Sequence, residues 1–574
     1  MKRRNFLCRC GSATAAGWYS IFSHAAECSC PKHRLGTELH ADVCIVGGGV
    51  GGCAAALAAT RAGMRVIMTE PTDWIGGQLT QQVVPPDEHG WIESFGCTRS
   101  YRCLRNGIRA YYRRNYPLTP EAAAREFLDP GNGWVSRLCH EPKVSLAVLD
   151  SMMAKSISQG TLRVLLNTEP VAAEVDGDYV RAVEFSDVFE NRTRVIRAKY
   201  FIDATEMGDL LPLTGTEYVT GSESAAETGE PGASEVPRPE NLQGFTWCFV
   251  LDYHEGEDHT IDKPEDYDFW ERYVPRLTPP GPSEPLFSLP RPVCESVNEG
   301  ENWFLPPDSR FTGAFPAHGA NFWTYRRLID VANFLPGRFD GDISVINWPH
   351  NDYTLGNIYE VGPEERETHL RGMRQQSLSL LYWLQTAAPR PDGGSGWKGL
   401  RLRPDVTGTT DGFAKHPYIR ESRRIRAEFT VLEQHINPEK PKEIGEIPVA
   451  VEFEDSVGVG HYWLDLHRST GGDVGLFIDC GPFQIPLGAL IPRRMENLIP
   501  GCKNIGTTHI TNGAYRTHPT EWNIGEAAGE LAAFAIRRGV TPRAVRCRPG
   551  LLRTFQDRLT CVGFELDWSK LAST

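Results

Sequence analysis

Residues 42–82 begin Asp42-Val43-Cys44-Ile45-Val46, turn through Gly47-Gly48-Gly49-Val50-Gly51-Gly52, and continue through an alanine-rich run to Met64-Arg65-Val66-Ile67-Met68-Thr69-Glu70. Residues 43–46 read as a short apolar strand, residues 53–62 as a helix of small residues, and residues 65–69 as a second strand. Gly47, Gly49 and Gly52 stand at G-x-G-x-x-G spacing. In such a turn the first glycine makes the bend and the second lets backbone approach a pyrophosphate. The third lets helix pack closely on strand. The helix N-terminus, including Val50 and Gly51, then offers unsatisfied N–H groups and the positive end of its dipole to the phosphates. Glu70 closes the second strand, where a carboxylate accepts hydrogen bonds from ribose hydroxyls and repels a 2′-phosphate. The stretch therefore predicts a dinucleotide site that favours FAD or NAD over NADP. A glycine-rich turn between buried strands would explain neither the small-residue helix nor Glu70.

Outward from this stretch, 574 residues suffice for several domains and a large core. A net charge of −13 argues against nucleic acid or an anionic membrane as partner. Beyond the N-terminus no segment approaches the ~20 apolar residues of a spanning helix. Lys2-Arg3-Arg4-Asn5-Phe6-Leu7, the weakly apolar residues 11–22 and the small residues near Ala25-Ala26 resemble a twin-arginine export signal. That reading makes 1–26 a removable signal and 27–40 a linker. It predicts a periplasmic or secreted location, with the twin-arginine translocase as a transient partner and no integral membrane segment in the mature chain. Of the 15 cysteines, removal of Cys8 and Cys10 leaves an odd number. Cys97 and Cys103 invite a redox-pair idea, against incidental or structural thiols. No Cys/His cluster has metal-site spacing, so no metal is expected.

After Glu70 and Pro71, Gly76-Gly77-Gln78 marks a loop leaving the second strand. Residues 85–116 are crowded with aromatics and arginines, Arg105 and Arg109 among them, and turn helical from Leu104. They read as a solvated helix face or as an arginine-bearing pocket wall, the former favoured. Thr119-Pro120 is a helix start, and residues 144–158 form a further helix. Strands follow at 162–166, 179–185 and 195–201, the last running into Ile202-Asp203-Ala204-Thr205-Glu206-Met207-Gly208-Asp209. A strand ending in Asp-Ala-Thr with a following Gly-Asp is a second nucleotide-domain signal. Residues 223–239 suggest an exposed loop and residues 279–292 are rich in proline. A long helix spans 364–386, and Arg420-Glu421-Ser422-Arg423-Arg424 is expected to begin another. No second G-x-G-x-x-G lies in a strand–helix frame, so no NAD(P)H domain is expected. Near the C-terminus, Asn523-Ile524-Gly525-Glu526-Ala527-Ala528-Gly529 opens a small-residue helix running to Arg538, whose N–H groups would stabilise a reduced flavin.

Gly47 to Gly52, Glu70, Gly76-Gly77-Gln78, Ile202 to Asp209, Arg420 to Arg424, Pro486 to Gly506 and Gly525 to Gly529 occur in that order. The set resembles the FAD-dependent oxidoreductase family of the glutathione-reductase-type flavoprotein superfamily, especially its secreted bacterial members. The resemblance implies an α/β fold and FAD as cofactor. It implies a Rossmann-type FAD-binding domain assembled from separated segments, 41–215 and 471–540, with a helical insertion near 86–145. An inserted α+β substrate domain covers 216–470, and 541–574 form a helical tail. The cofactor-binding residues are then Gly47, Gly49, Val50, Gly51, Gly52, Glu70, Pro71, Gly76, Gly77 and Gln78 in the first segment. Val171, Ala204, Thr205, Gly208 and Asp209 follow, and Asn523, Ile524 and Gly525 complete the set.

FAD would supply the redox chemistry, leaving the protein to position a substrate C–H and manage a proton. Histidine suits that role by its pKa of about 6.5. His518 and His509 precede the flavin-end helix, and His461 lies in a loop with Tyr462. Each is a catalytic candidate set against an ordinary structural role. Arg516 is a candidate for binding a substrate carboxylate or oxyanion. The expected function is oxidation or reduction of a small organic substrate, a hydroxy compound first. The alternatives are a flavin-binding electron-transfer or assembly protein, and a thiol oxidase working through Cys97 and Cys103.

Overall fold

The alternation of buried and half-buried apolar residues before the glycine turn extends further than the sequence suggests. Strand β1 covers Thr37–Val46, because its whole length finds a partner. Helix α1 (Val50–Arg61) and strand β2 (Val66–Thr69) follow, and β1 and β2 pair in parallel from Val43↔Val66 to Val46↔Thr69. The computed structural model describes residues 37–189, 192–278, 285–288, 322–390, 392–444 and 447–573. The export-signal stretch 1–26, most of the 27–40 linker and most of the proline-rich 279–292 lie outside the described residues.

Helices α2 (Arg99–Asn115) and α3 (Pro142–Ser158) lead to β3 (Leu162–Leu165), then β4 (Thr168–Asp176), β5 (Tyr179–Asp187) and β6 (Thr193–Asp203). Strand β7 (Leu498–Pro500) returns from far down the chain to pair in parallel with the end of β6. The parallel order is β3-β2-β1-β6-β7, while β4, β5 and the start of β6 form an antiparallel meander. This is the doubly wound arrangement that places a ligand beyond the carboxyl ends of the strands.

The long helix α4 (Pro363–Thr386) belongs to a second layer, beside a four-stranded antiparallel sheet ordered 327–329, 343–346, 249–253, 400–402. This layer has its own aromatic core, including Trp270, Phe249, Trp348 and Trp397. Helix α5 (His518–Arg538) rejoins the first layer and crosses α1. A Cβ on Gly51 would fall 1.9 Å from the Gly501 carbonyl oxygen, and one on Gly525 2.0 Å from that of Gly51. The two helices approach backbone to backbone, which accounts for the small residues in both. The tail adds helices at Pro542–Cys547 and Pro549–Val562.

Three expectations change. Arg420 to Arg424 begin no helix: Arg424–Ile425 pairs as a strand with Tyr218–Val219. Extended backbone lets neighbouring side chains reach separate carboxylates, Arg420 to buried Asp352 at 3.0 Å and Arg424 to half-buried Glu223 at 2.9 Å. Helix α2 does not turn all its arginines to solvent. Arg105 is buried against Glu88 and Glu93, and Arg109 against Glu93. Nor does the C-terminal helix begin at Asn523. It begins at His518, with Thr517 as N-cap and Pro519 in its first turn. Gly525 and Gly529 are therefore mid-helix packing residues.

Candidate functional site

The turn after β1 needs its glycine. Gly47 has φ +97°, and a Cβ there would sit 2.3 Å from the Ala204 carbonyl oxygen at the end of β6. A cavity of about 360 Å³ opens at this point. Gly47, Gly49, Glu70, Pro71, Ala204, Thr205 and Asp209 line it, with Thr168–Pro170 on the far wall. Glu70 is buried there. One carboxylate oxygen accepts from the Gly48 N–H at 3.0 Å, the other from the Thr72 N–H and from Gln81 Nε2, each at 2.9 Å. Burial pushes its carboxyl up to about 8 despite these donors. Such a group favours further donors, and ribose hydroxyls supply them.

Beyond the glycines the groove becomes charged. Glu206 Oε1 would lie 3.1 Å from a Cβ on Gly49 and 2.9 Å from one on Gly77. Lys503, fully buried, pairs with Glu206 and lies 3.7 Å from Glu521. Glu521 in turn accepts from the Gly51 N–H at 3.3 Å and from Gln78 Nε2 at 2.6 Å. The two carboxylates hold the Lys503 ammonium well above the usual lysine range, although burial opposes them. Burial raises the Glu521 carboxyl.

These residues fit FAD. A glycine turn packed too closely on the Ala204, Gly501 and Gly47 carbonyls to admit a Cβ at Gly47, Gly51 or Gly52 meets the N-terminus of α1, a buried carboxylate faces the cavity, and Glu206 Oε1 is buried with no donor, ready for a ligand hydroxyl.

Gln78 continues the line inward. Its Oε1 accepts from the Tyr418 hydroxyl at 3.1 Å, and its Nε2 also donates to the Arg516 carbonyl at 3.1 Å. Arg516 donates to the Tyr418 hydroxyl at 3.1 Å and to Asp465 at 2.9 Å. Two residues on, His518 Nδ1 accepts the Asp87 N–H at 3.0 Å, and Asp87 pairs with Arg326 at 3.1 Å. Segments near 78, 87, 326, 418, 465 and 516 thus converge on one buried cluster. An N–H aimed at Nδ1 requires a lone pair there, which assigns the His518 proton to Nε2. Burial, partly opposed by Asp87, pushes this imidazole down to about 4 and keeps it neutral. His518 Nε2–H is thus a donor, where a base would need a free lone pair.

Among the other candidate residues, Gly76 caps the short helix that carries Gly77 and Gln78, and Gly52 packs its Cα against the Gly47 carbonyl. Gly208 lies against Arg423, just outside the cavity, and Val171 is partly exposed one residue beyond its wall. Asn523, Ile524 and Gly525 lie inside α5, where their N–H groups are taken up by the helix itself. His461 bonds the Cys480 carbonyl at 3.2 Å within a cage of His89, Trp91 and Trp568. His509 is held by Glu421 at 2.9 Å. Neither joins the His518 cluster, because each is fixed by its own buried partner. Cys97 is buried, its thiol pushed up to about 12, while Cys103 is exposed, and both are free. Among the described residues no group of three or more His, Cys, Asp or Glu is arranged to hold a metal ion, and no helix is long and apolar enough to cross a membrane. Sequence reasoning missed Lys503, Arg326, Asp87 and Tyr418. A lysine three residues after the end of β7, in the turn beyond Gly501, was the one local signal.

Comparison with known proteins agrees with this groove. The family model described as FAD dependent oxidoreductase matches residues 42–559. No curated protein matches the chain. Among solved structures, a geranylgeranyl bacteriochlorophyll reductase-like protein from Thermoplasma acidophilum is 11% identical, over 92% of this chain and 85% of its own, with a TM-score of 0.29. The glycerol-3-phosphate dehydrogenase from Bacillus halodurans, complexed with FAD, is 14% identical over 37% of this chain and 40% of its own, with a TM-score of 0.23. The L-proline dehydrogenase from P. horikoshii is 18% identical over 33% and 26%, with a TM-score of 0.17. The chain thus spans well under half the length of the latter two.

Proposed function

The chain belongs to the FAD dependent oxidoreductase family, and from that premise we propose that it oxidises a small hydroxy compound by hydride transfer, with the substrate seated at Arg326, Arg516 and His518. When bound, FAD supplies the electron chemistry, accepting a hydride at N5. The protein's own part begins at Glu70, which takes ribose hydroxyls, and at the α1 N-terminus, which takes the diphosphate. Lys503 balances the carboxylates beside that path. Past Gln78 the chain provides binding and polarisation. Arg516 and Arg326, each fixed by a carboxylate, orient the substrate. His518 Nε2–H donates to a substrate oxygen and stays neutral at working pH, so the hydroxyl proton that leaves with the hydride passes instead to a carboxylate of the cluster, Asp87 beside His518 and Arg326.

The observation that carries this reading is the Gln78 side chain, which bonds Glu521 at the nucleotide turn and both Tyr418 and Arg516 at the cluster. One short amide thus joins cofactor groove and substrate cluster. The test is an anaerobic panel of alcohols, polyols, hydroxy acids and amines, read by loss of the flavin's visible absorbance. Reduction by a hydroxy compound supports the reading. Reduction by dithiols alone, with Cys97→Ser inactive, would replace it with thiol oxidation.

As part of the same proposal, the twin-arginine reading of residues 2–7 gives the chain a periplasmic or secreted location, exported with FAD in place. Replacing Arg3 and Arg4 by Lys should trap the protein in the cytoplasm. An unchanged distribution on cell fractionation would remove the location and leave the chemistry standing.

A further inference from the structure

The His518 cluster is balanced in charge and unbalanced in hydrogen bonding. Arg326 pairs with Asp87 at 3.1 Å, Arg516 with Asp465 at 2.9 Å, and Arg420 with Asp352 at 3.0 Å. His467 stands between the last two carboxylates, 2.5 Å from Asp352 and 3.6 Å from Asp465. The three guanidinium groups are thus matched one to one by carboxylates. Yet Arg326 Nε, Arg516 Nε and Arg420 Nε are all buried with no hydrogen-bond partner, and so is Asn347 Nδ2 beside Arg420; His518 Nε2 makes no well-formed bond either, with the Val84 carbonyl lying near the ring. With the tautomer fixed by the Asp87 N–H, every one of these atoms is a donor.

Buried donors without acceptors are rare in folded proteins, and several in one cluster point to a ligand. They belong to one neighbourhood. Asp87 touches both Arg326 and His518, and the charges of Arg326 and Arg516 both reach the His518 ring. A hydroxyl-only ligand would bring its own donors into a place already short of acceptors. A carboxylate brings two oxygens that only accept, with about four lone-pair sites, in the planar geometry that a guanidinium edge matches.

We propose that the substrate of this centre carries a carboxylate, held through its oxygens by Arg326, Arg516 and His518. The inference rests on the oxidoreductase reading above and narrows its hydroxy compound to a small hydroxy acid. Arg326 thereby becomes a substrate-binding residue, supplied from outside the nucleotide domain that carries Arg516 and His518.

The test uses the FAD-loaded protein and non-reducing probes. Acetate and benzoate are titrated against the flavin absorbance spectrum, with sodium chloride at equal ionic strength and glycerol as controls. Each probe is also tested as an inhibitor of reduction by the best compound of the anaerobic panel. Saturable spectral perturbation by the carboxylates is expected, weakened about 10- to 100-fold in Arg326→Lys and in Arg516→Lys. Bound FAD should be unchanged in both variants, and His518→Asn provides a third in case either arginine variant loses FAD. If glycerol perturbs the spectrum while carboxylates do not, or chloride does as well as acetate, the inference is overturned and the oxidoreductase reading survives. If carboxylates bind at these residues and no compound reduces the flavin, the inference holds and the oxidoreductase reading falls. No perturbation by any probe would also overturn the inference.

Discussion

Replacing Lys503 by Met tests the charged part of the cofactor groove. The ammonium is fully buried between Glu206 and Glu521, 3.7 Å from the latter. At an effective dielectric of about 20, one unit pair at that distance is worth about 4.5 kcal/mol. Removing one partner of a buried pair typically costs about 3–5 kcal/mol. The variant can relieve this by protonating one carboxylate, and burial already raises the Glu521 carboxyl. That relief costs about 1.4 kcal/mol per pH unit above the ordinary carboxyl range near 4.5. The destabilisation should therefore be about 3–5 kcal/mol at pH 8 and only about 1–2 kcal/mol at pH 5.5. The sign follows from linkage: the folded variant keeps a proton that the unfolded chain releases, so its stability falls as pH rises. The assay is the shift in urea midpoint at the two pH values with FAD saturating. Lys503→Met with Glu206→Gln should recover most of the loss at pH 8. A loss below about 0.5 kcal/mol, equal at both pH values, would show that Lys503 behaves as a surface residue and not as the counter-ion of Glu206 and Glu521.

Gly525→Ala should force α1 and α5 apart, because its Cβ would meet the Gly51 carbonyl at 2.0 Å. A loss of about 1–3 kcal/mol in thermal unfolding, with weaker FAD binding, is expected, whereas an unchanged melting curve would contradict the crossing. Glu70→Ala leaves the Gly48 N–H and Gln81 without their acceptor and removes the ribose partner. FAD affinity should fall at least about tenfold by fluorescence titration, and unchanged affinity would dismiss Glu70 as a cofactor residue. His518, lowered to about 4 in the fold, should make the protein lose up to about 3 kcal/mol as pH falls from 6.5 to 4, because the unfolded chain takes up that proton first. The corresponding slope should be missing in His518→Asn, and an identical slope in both proteins would refute the assignment.

The nucleotide half of the site was legible because its residues are adjacent in sequence. Gly47 to Gly52 lie within one β–α–β unit, and Glu70 and Gln78 follow it within ten residues, where spacing translates directly into geometry. The charged half was not. Asp87, Arg326, Tyr418 and Arg516 come from four distant segments, and no local period links them. The same limit explains helix α2. Its Arg105 and Arg109 look solvent-bound by helical spacing, but their carboxylates arrive from a preceding loop, at Glu88 and Glu93. Gly525 shows the reverse case. A glycine in a small-residue helix signals close approach, and sequence alone does not say whether backbone or cofactor is approaching. Here it is the Gly51 carbonyl.

The proposed substrate chemistry takes place where the cofactor groove meets Arg326, Arg516 and His518. Its most direct test is the anaerobic rate of flavin reduction in His518→Asn, using the best compound of the substrate panel. Asparagine keeps an acceptor for the Asp87 N–H and removes the Nε2 donor. Full FAD occupancy with reduction slowed by about 10²- to 10³-fold is expected. Reduction within twofold of the wild-type rate, at full occupancy, would contradict it.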